Sequence, residues 1–182
     1  MKNIEIVSNF FDDFENIKEA FKSIPLYGID DYKKRTIITA EDKEKLQHSN
    51  FPGKRSESLH RTYPFLFNLI LREIFNKINK MGFNEIRIDC CLHLRLGEDN
   101  PNDFIHTDPS LASMLVYLSD TNLKSGTAFY PPESDKPYLK VPFIQNSAVF
   151  FPGRFRHKSI LNYGNDIHDG RLTLNGFLYR LN

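Results

Sequence analysis

Four side chains stand out by type and spacing: His106, Asp108, His157 and Arg171. The stretch FIHTDP places an imidazole and a carboxylate two positions apart. In an extended segment, positions i and i+2 point the same way, so the pair is presented side by side. Two histidines and one carboxylate make a facial ligand set that leaves coordination positions open on a metal. An H-x-D tripeptide alone also describes an exposed pair before a strand, and short motifs have many false positives. The downstream residues give it weight. SAVFFPGRFRHKSIL reads as an apolar strand, a turn, and His157 opening another strand. GRLTLNGFLYR then starts a last strand with Arg171, and Thr173 faces the same way two residues on. A guanidinium fork matches a carboxylate through two parallel hydrogen bonds, and the Thr173 hydroxyl can add another.

Other candidates carry plainer readings. His168 competes with His157 for a ligand role, but it sits in the turn-rich YGNDIHDG, where a histidine reads more simply as a solvated loop residue. His48 and His60 fall in an irregular front region, and His93 reads as a core or supporting group. Arg154, Arg156 and Lys158 flank His157 and read as a solvated turn and strand edge rather than a basic rim. Tyr117 and Tyr130 read as core tyrosines with satisfied hydroxyls. FPGKRSES, with Arg55, is either a lid over the site or variable surface, because long polar loops serve both ends.

These residues need elements to position them. IEIV predicts a short strand, followed by a helix in DDFENIKEAFKSI with Phe14, Ile17, Phe21 and Ile24 at helical spacing. Asp12 or Asp13 is its expected cap and Pro25 its stop. Residues 26–62 read as loop with one short helix. Residues 64–81 predict a long helix: Pro64 suits the first turn, and Phe67, Ile70, Leu71, Ile74 and Ile78 form a stripe widened by Phe75. EIRIDCCLHLRL then alternates Ile86, Ile88, Cys90, Leu92, Leu94 and Leu96 against Arg87, Asp89, Cys91, His93 and Arg95. LASMLVYLSD, GTAFYP, SAVFFPG, HKSILNY and RLTLNGFLYR supply further strands, separated by GEDNPND, NLKSG, PPESDKP and YGNDIHDG. Short strands at this spacing predict a sandwich or barrel-like pair of sheets. No βαβ alternation argues for a parallel sheet.

Composition bounds the answer. The chain has 182 residues, 40% of them hydrophobic, with 16 Phe and 8 Tyr, which suits one domain with a substantial core. Its net charge of +1 offers no general field for nucleic acid or an anionic membrane. The two cysteines are adjacent, Cys90 and Cys91, so no disulfide framework is expected and a reducing, cytoplasmic setting fits. FLFNLIL, the longest apolar stretch, is too short to span a bilayer.

The order His106, Asp108, His157, Arg171 resembles the Fe(II)/2-oxoglutarate-dependent oxygenase superfamily, particularly its prolyl-4-hydroxylase-like branch. MLVYLSD resembles the strand after the H-x-D. SGTAFYP resembles the branch's G-G-x-x-x-F-P segment, with Ser125 and Tyr130 as departures. VPFIQNSAVFFPGRFRH and RLTLNGFLY resemble the approach to the distal histidine and the closing strand. The likeness covers about residues 86–181. It implies a mainly β fold with flanking helices and a double-stranded β-helix (jelly-roll or cupin-like) core. The implied layout is one oxygenase domain over 1–182, with helical support and loops in 1–84 and the core in 85–182. It also implies Fe(II) on His106, Asp108 and His157, and 2-oxoglutarate on Arg171 and Thr173. Dioxygen and a small-molecule or peptide substrate would complete the reaction, most simply a hydroxylation releasing succinate and CO2. The Tyr that some members place on the strand before the H-x-D is missing; His93 and Arg95 stand there. The presence of Asp108 separates this chain from related halogenases. The rival expectation is a cupin-like metal protein, or a dioxygenase or isomerase that does not use 2-oxoglutarate and has no need of Arg171.

Overall fold

The structure is a computed structural model, described here over residues 3–36, 51–78 and 86–180. Two antiparallel sheets face each other. The larger has six strands in the order β1-β7-β4-β9-β3-β2: β1 (Glu5–Val7), β7 (Ala148–Pro152), β4 (Ala112–Tyr117), β9 (Arg171–Arg180), β3 (Ile86–Arg95) and β2 (Lys54–Arg55). The smaller has three, β6 (Leu139–Phe143), β5 (Asn122–Tyr130) and β8 (Arg156–Ser159), with β5 central.

The alternation in β3 divides its two faces between two jobs. Ile88, Cys90, Leu92 and Leu94 join Ile70 and Ile74 of helix α4 (Pro64–Ile78) and Phe14 and Phe21 of α1 (Phe14–Lys22) in one apolar cluster. Fully burying one such aliphatic side chain is worth roughly 1.5–3 kcal/mol, so this back face anchors the sheet. The other face carries Cys91, His93 and Arg95 toward the space between the sheets, and these are buried as well. A second cluster, Tyr117, Phe129, Val141, Phe143, Val149 and Phe151, fills one end of the space between the sheets.

Several expectations need correction. Residues 26–62 hold more than one short helix: α2 (Ile29–Thr36), β2 and α3 (Leu59–Thr62). α2, IDDYKKRT, has no long apolar stripe. Its signal is charge order, with Asp30 and Asp31 in the first turn and Lys33, Lys34 and Arg35 in the last, matching the helix dipole. NLKSG is not a turn but the first part of β5, interrupted by a register shift between Asn122 and Gly126. LKVPF was not expected as a strand; it forms β6, which among the described residues pairs only with β5, and an edge is where Pro142 is tolerated. Phe75 does not widen the α4 stripe, since it is 40% exposed. Asp13 occupies the α1 N-cap position, but its carboxylate accepts from the Asn16 side chain at 2.9 Å rather than from the helix backbone. His48 and positions 79–81 of the long helix lie outside the described residues. Among the described residues no helix is long and apolar enough to cross a membrane.

Candidate metal and carboxylate site

The cavity-facing side of the large sheet is built in rows across its strands. Register places Asp89, Phe177 and Ser113 in one row, and Cys91, Asn175 and Leu115 in the next. The third row holds Arg55, His93, Thr173 and Tyr117, and the last pairs Arg95 with Arg171. Directly opposed residues of antiparallel strands share a face. From the small sheet, Thr127 opposes Ser159 and Phe129 opposes His157. Between these walls lies a cavity of about 660 Å³ lined by His106, Asp108, His157, Arg171 and Thr173. The five residues named from the sequence therefore converge.

His106, Asp108 and His157 place one ligand atom each within 4.8 Å of one another. His106 Nε2 is 4.0 Å and His157 Nε2 3.6 Å from the Asp108 carboxylate. The loop carrying His106 is stitched to β8 by reciprocal backbone bonds, His106 N to His157 O at 3.0 Å and His157 N to His106 O at 2.8 Å. The Asp108 N–H donates to Gly153 O at 2.8 Å. Gly153 is required for that approach, because a Cβ there would lie 2.1 Å from Ser110 O and 2.9 Å from Asp108 O.

The tautomers suit metal binding. His106 Nδ1 lies 3.1 Å from Phe104 O and His157 Nδ1 2.9 Å from Phe155 O. A carbonyl only accepts, so each Nδ1 carries the proton and each Nε2 lone pair is left for a ligand role. Burial pushes the His157 pKa below its usual value, against the opposing pull of Asp108. The Nδ1-protonated tautomer and the burial together leave a neutral ring ready to ligate. Ser113 Oγ donates to Asp108 Oδ2 at 2.5 Å and orients it.

The other end of the cavity is cationic. Arg171 is 4% exposed, and one Nη donates to Gly126 O at 3.3 Å. Its guanidinium lies over the Phe143 and Tyr117 rings, at 5.4 and 5.9 Å. Its Nε is buried with no hydrogen-bond partner, and no carboxylate among the described residues pairs with it. Burial lowers its pKa from the ordinary arginine value. Thr173 Oγ1 donates toward Asn175 Oδ1 at 2.8 Å and His93 O at 3.3 Å, so its proton is already engaged. Beside it, Tyr117 Oη and Thr127 Oγ1 are 2.8 Å apart.

Sequence reasoning missed Ser113, Thr127 and Asp103. Asp103 accepts from Ser159 and from Asn162 (3.1 Å) and pairs with Arg95 at 3.2 Å, fixing the loop ahead of His106. His168 is an exposed loop residue, and His60 pairs with Asp89 at 3.3 Å. Arg156 is held by the Pro131, Pro132 and Ser134 carbonyls and by Asp135, so it clamps the 131–138 loop rather than forming a basic rim. Phe51, Pro52 and Arg55 form a wall of the cavity, with β2 paired to β3.

The sequence matches no protein-family model and no curated protein. The fold does have relatives among solved structures. The viral collagen prolyl hydroxylase of Paramecium Bursaria Chlorella virus-1, in complex with 2-oxoglutarate, superposes with a TM-score of 0.61 at 13% identity. That match covers 99% of this chain and 97% of the other. The chain is a double-stranded β-helix. A Pseudomonas putida prolyl-4-hydroxylase gives a TM-score of 0.57 at 15% identity, over 100% of this chain and 90% of that one. SnoK, a non-heme alpha ketoglutarate dependent carbocyclase from nogalamycin biosynthesis, gives 0.62 at 12% identity, over 97% and 79%. In this double-stranded β-helix, the histidines and Asp108 sit at one end of the cavity and Arg171 toward the other.

Proposed function

We propose that this protein is an Fe(II)- and 2-oxoglutarate-dependent oxygenase that hydroxylates a C–H bond of a peptide or protein side chain, an amino acid or a small metabolite. One observation carries the reading: the buried Arg171 guanidinium, with no carboxylate partner among the described residues, shares a cavity with a two-histidine, one-carboxylate set whose Nε2 atoms are free to ligate. A buried charge is costly unless paired, so the fold calls for an anion at Arg171. Solved relatives of the same fold carry 2-oxoglutarate, one with Fe3+ and another with nickel, which is in keeping with both halves of the site.

His106, Asp108 and His157 would hold the iron, and Arg171 the distal carboxylate of the cosubstrate through its fork. Thr173 shares that wall of the cavity, and Thr127, its hydroxyl 2.8 Å from that of Tyr117, would be a second polar contact. Iron and 2-oxoglutarate together supply oxygen activation, in which the cosubstrate becomes succinate and CO2 and one oxygen atom enters the substrate. Leu115 and Phe177 give the cavity an apolar stretch of wall.

A cupin-like metal protein indifferent to 2-oxoglutarate is the rival, and an Arg171 with no carboxylate partner among the described residues speaks against it. Anaerobic addition of Fe(II) and 2-oxoglutarate should produce a weak visible charge-transfer band that Arg171→Ala abolishes while iron stays bound. Fe(II) binding without any affinity for 2-oxoglutarate would overturn the oxygenase reading in favour of the rival.

A further inference from the structure

Three arginines line the cavity, and they are not treated alike by the fold. Arg95 is matched by carboxylates: its Nη2 lies 3.2 Å from Asp103 and its Nε 3.9 Å from Asp99. Arg171 is left for the cosubstrate in the reading above. Arg55 is the third. It stands opposite His93 at the start of the row that continues through Thr173 to Tyr117, so it shares their cavity-facing side.

The Arg55 guanidinium is positioned but not neutralised. It lies over the Phe51 ring at 4.2 Å, and Phe51 in turn meets His93 edge-on at 5.9 Å. Its backbone is fixed on both sides, by β3 and by the Tyr27 bridge. Its Nε is buried without a hydrogen-bond partner, as are those of Arg95 and Arg171; what sets it apart from Arg95 is that no carboxylate among the described residues is ion-paired with it. The nearest candidate by row, Asp89, is already engaged by the Ser58 hydroxyl at 2.7 Å and His60 at 3.3 Å. Buried polar atoms are rarely left unpaired in folded proteins. A stacked, held guanidinium with a free face is pre-organised for an oxyanion.

We propose that Arg55 binds an anionic group, a carboxylate or phosphate, of the substrate to be oxidised. This rests on the oxygenase reading and narrows it. Substrates would enter with a negative group against the β2 wall, while their reacting carbon faces the His106–Asp108–His157 end. Neutral analogues of the same shape would bind poorly. Arg171 and Arg55 thus divide two anions between them, one from the cosubstrate and one from the substrate.

The test uses protein loaded with Zn(II) in place of iron and with 2-oxoglutarate, so that no turnover occurs. Uptake of 2-oxoglutarate is measured first by calorimetry; if wild type takes none, the oxygenase reading fails at that step and this inference falls with it. Ligand-observed NMR then compares N-acetyl amino acids, their amides and methyl phosphate. The acids or methyl phosphate are expected to bind wild type, with the amides at least about tenfold weaker, in line with the loss of a hydrogen bond to a charged group. Arg55→Gln should lose that preference while its 2-oxoglutarate affinity stays unchanged, and Arg55→Lys should keep part of it. Binding by the acids alone identifies a carboxylate substrate, and binding by methyl phosphate alone a phosphorylated one. Equal binding of acids and amides, anion binding that survives Arg55→Gln in a folded protein, or no anion binding to loaded wild type would each overturn the proposal.

Discussion

The two ends of the cavity are built differently. Arg171 and Thr173 lie on a ten-residue strand with β3 on one side and β4 on the other, and both are buried. His157 lies on a four-residue strand that, among the described strands, pairs with β5 alone, and His106 on a loop joined to it by one isolated bridge. His106 is half-buried, whereas His157 is 5% exposed. The Arg171 end is therefore fixed by the sheet itself. The histidine end is assembled from short pieces whose side chains are aimed by carbonyls and by Ser113. Rigid strands give precision without help, while a site on loops needs supporting hydrogen bonds.

The sharpest break in this contrast comes from substitution at each end. Asp108→Ala removes the one charged ligand, and iron affinity should fall by more than about 100-fold, the upper end of what even a supporting partner contributes. Equilibrium dialysis with Fe(II) under anaerobic conditions checks this, and unchanged affinity would sink the triad assignment. Arg171→Met should move affinity and stability in opposite directions. Cosubstrate affinity should drop by roughly 10- to 100-fold, as for loss of a charge-assisted pair. Yet the melting temperature without ligand should hold or rise, because a buried guanidinium with no carboxylate partner among the described residues is replaced by a side chain of similar volume. A large loss of stability would mean that Arg171 is structural.

Histidine burial on the sheet side predicts an acid-sensitive fold. Burial, then the Arg55 and Arg95 guanidiniums, holds the His93 pKa well below the usual histidine value. His93 Nε2 lies 2.8 Å from Pro52 O and donates to it, as a neutral ring can. The unfolded chain takes up a proton near pH 6.5 that the folded one refuses. Stability is thus retained above that pH and lost below it, by about 1.4 kcal/mol per unit for one such group. Urea melts between pH 7 and 5 should show this slope in wild type and a shallower one in His93→Gln.

The same division governs how much of this was legible in the sequence. Strand alternation exposed β3 and β9 because long central strands keep period two over many residues. His106, Asp108, His157 and Arg171 were legible because chain order and i, i+2 spacing survive without three-dimensional information. Ser113 and Asp103 were not, since their roles depend on how the 97–111 segment folds back. β6 was hidden by Pro142 and by its exposed Leu139 and Lys140, the marks of an edge rather than a core strand. Arg55 was visible only as part of a polar loop, because two strand residues are too few to show a period.

The smallest predicted effect tests the supported end most directly. Ser113 does not contact the metal position; it donates to Asp108 Oδ2 and is 3.0 Å from Ser110 Oγ. Removing that donor leaves Asp108 in place but free to rotate, and partners of this kind contribute about 10-fold or more to metal affinity. Ser113→Ala should weaken iron binding by about 10-fold with little change in 2-oxoglutarate affinity once iron is saturated. Thr173→Ala, on the strand-fixed end, should leave iron affinity unchanged. If Ser113→Ala and wild type bind iron alike, Asp108 is held by its backbone bond to Gly153 alone, and the contrast between a sheet-fixed end and a side-chain-supported end disappears.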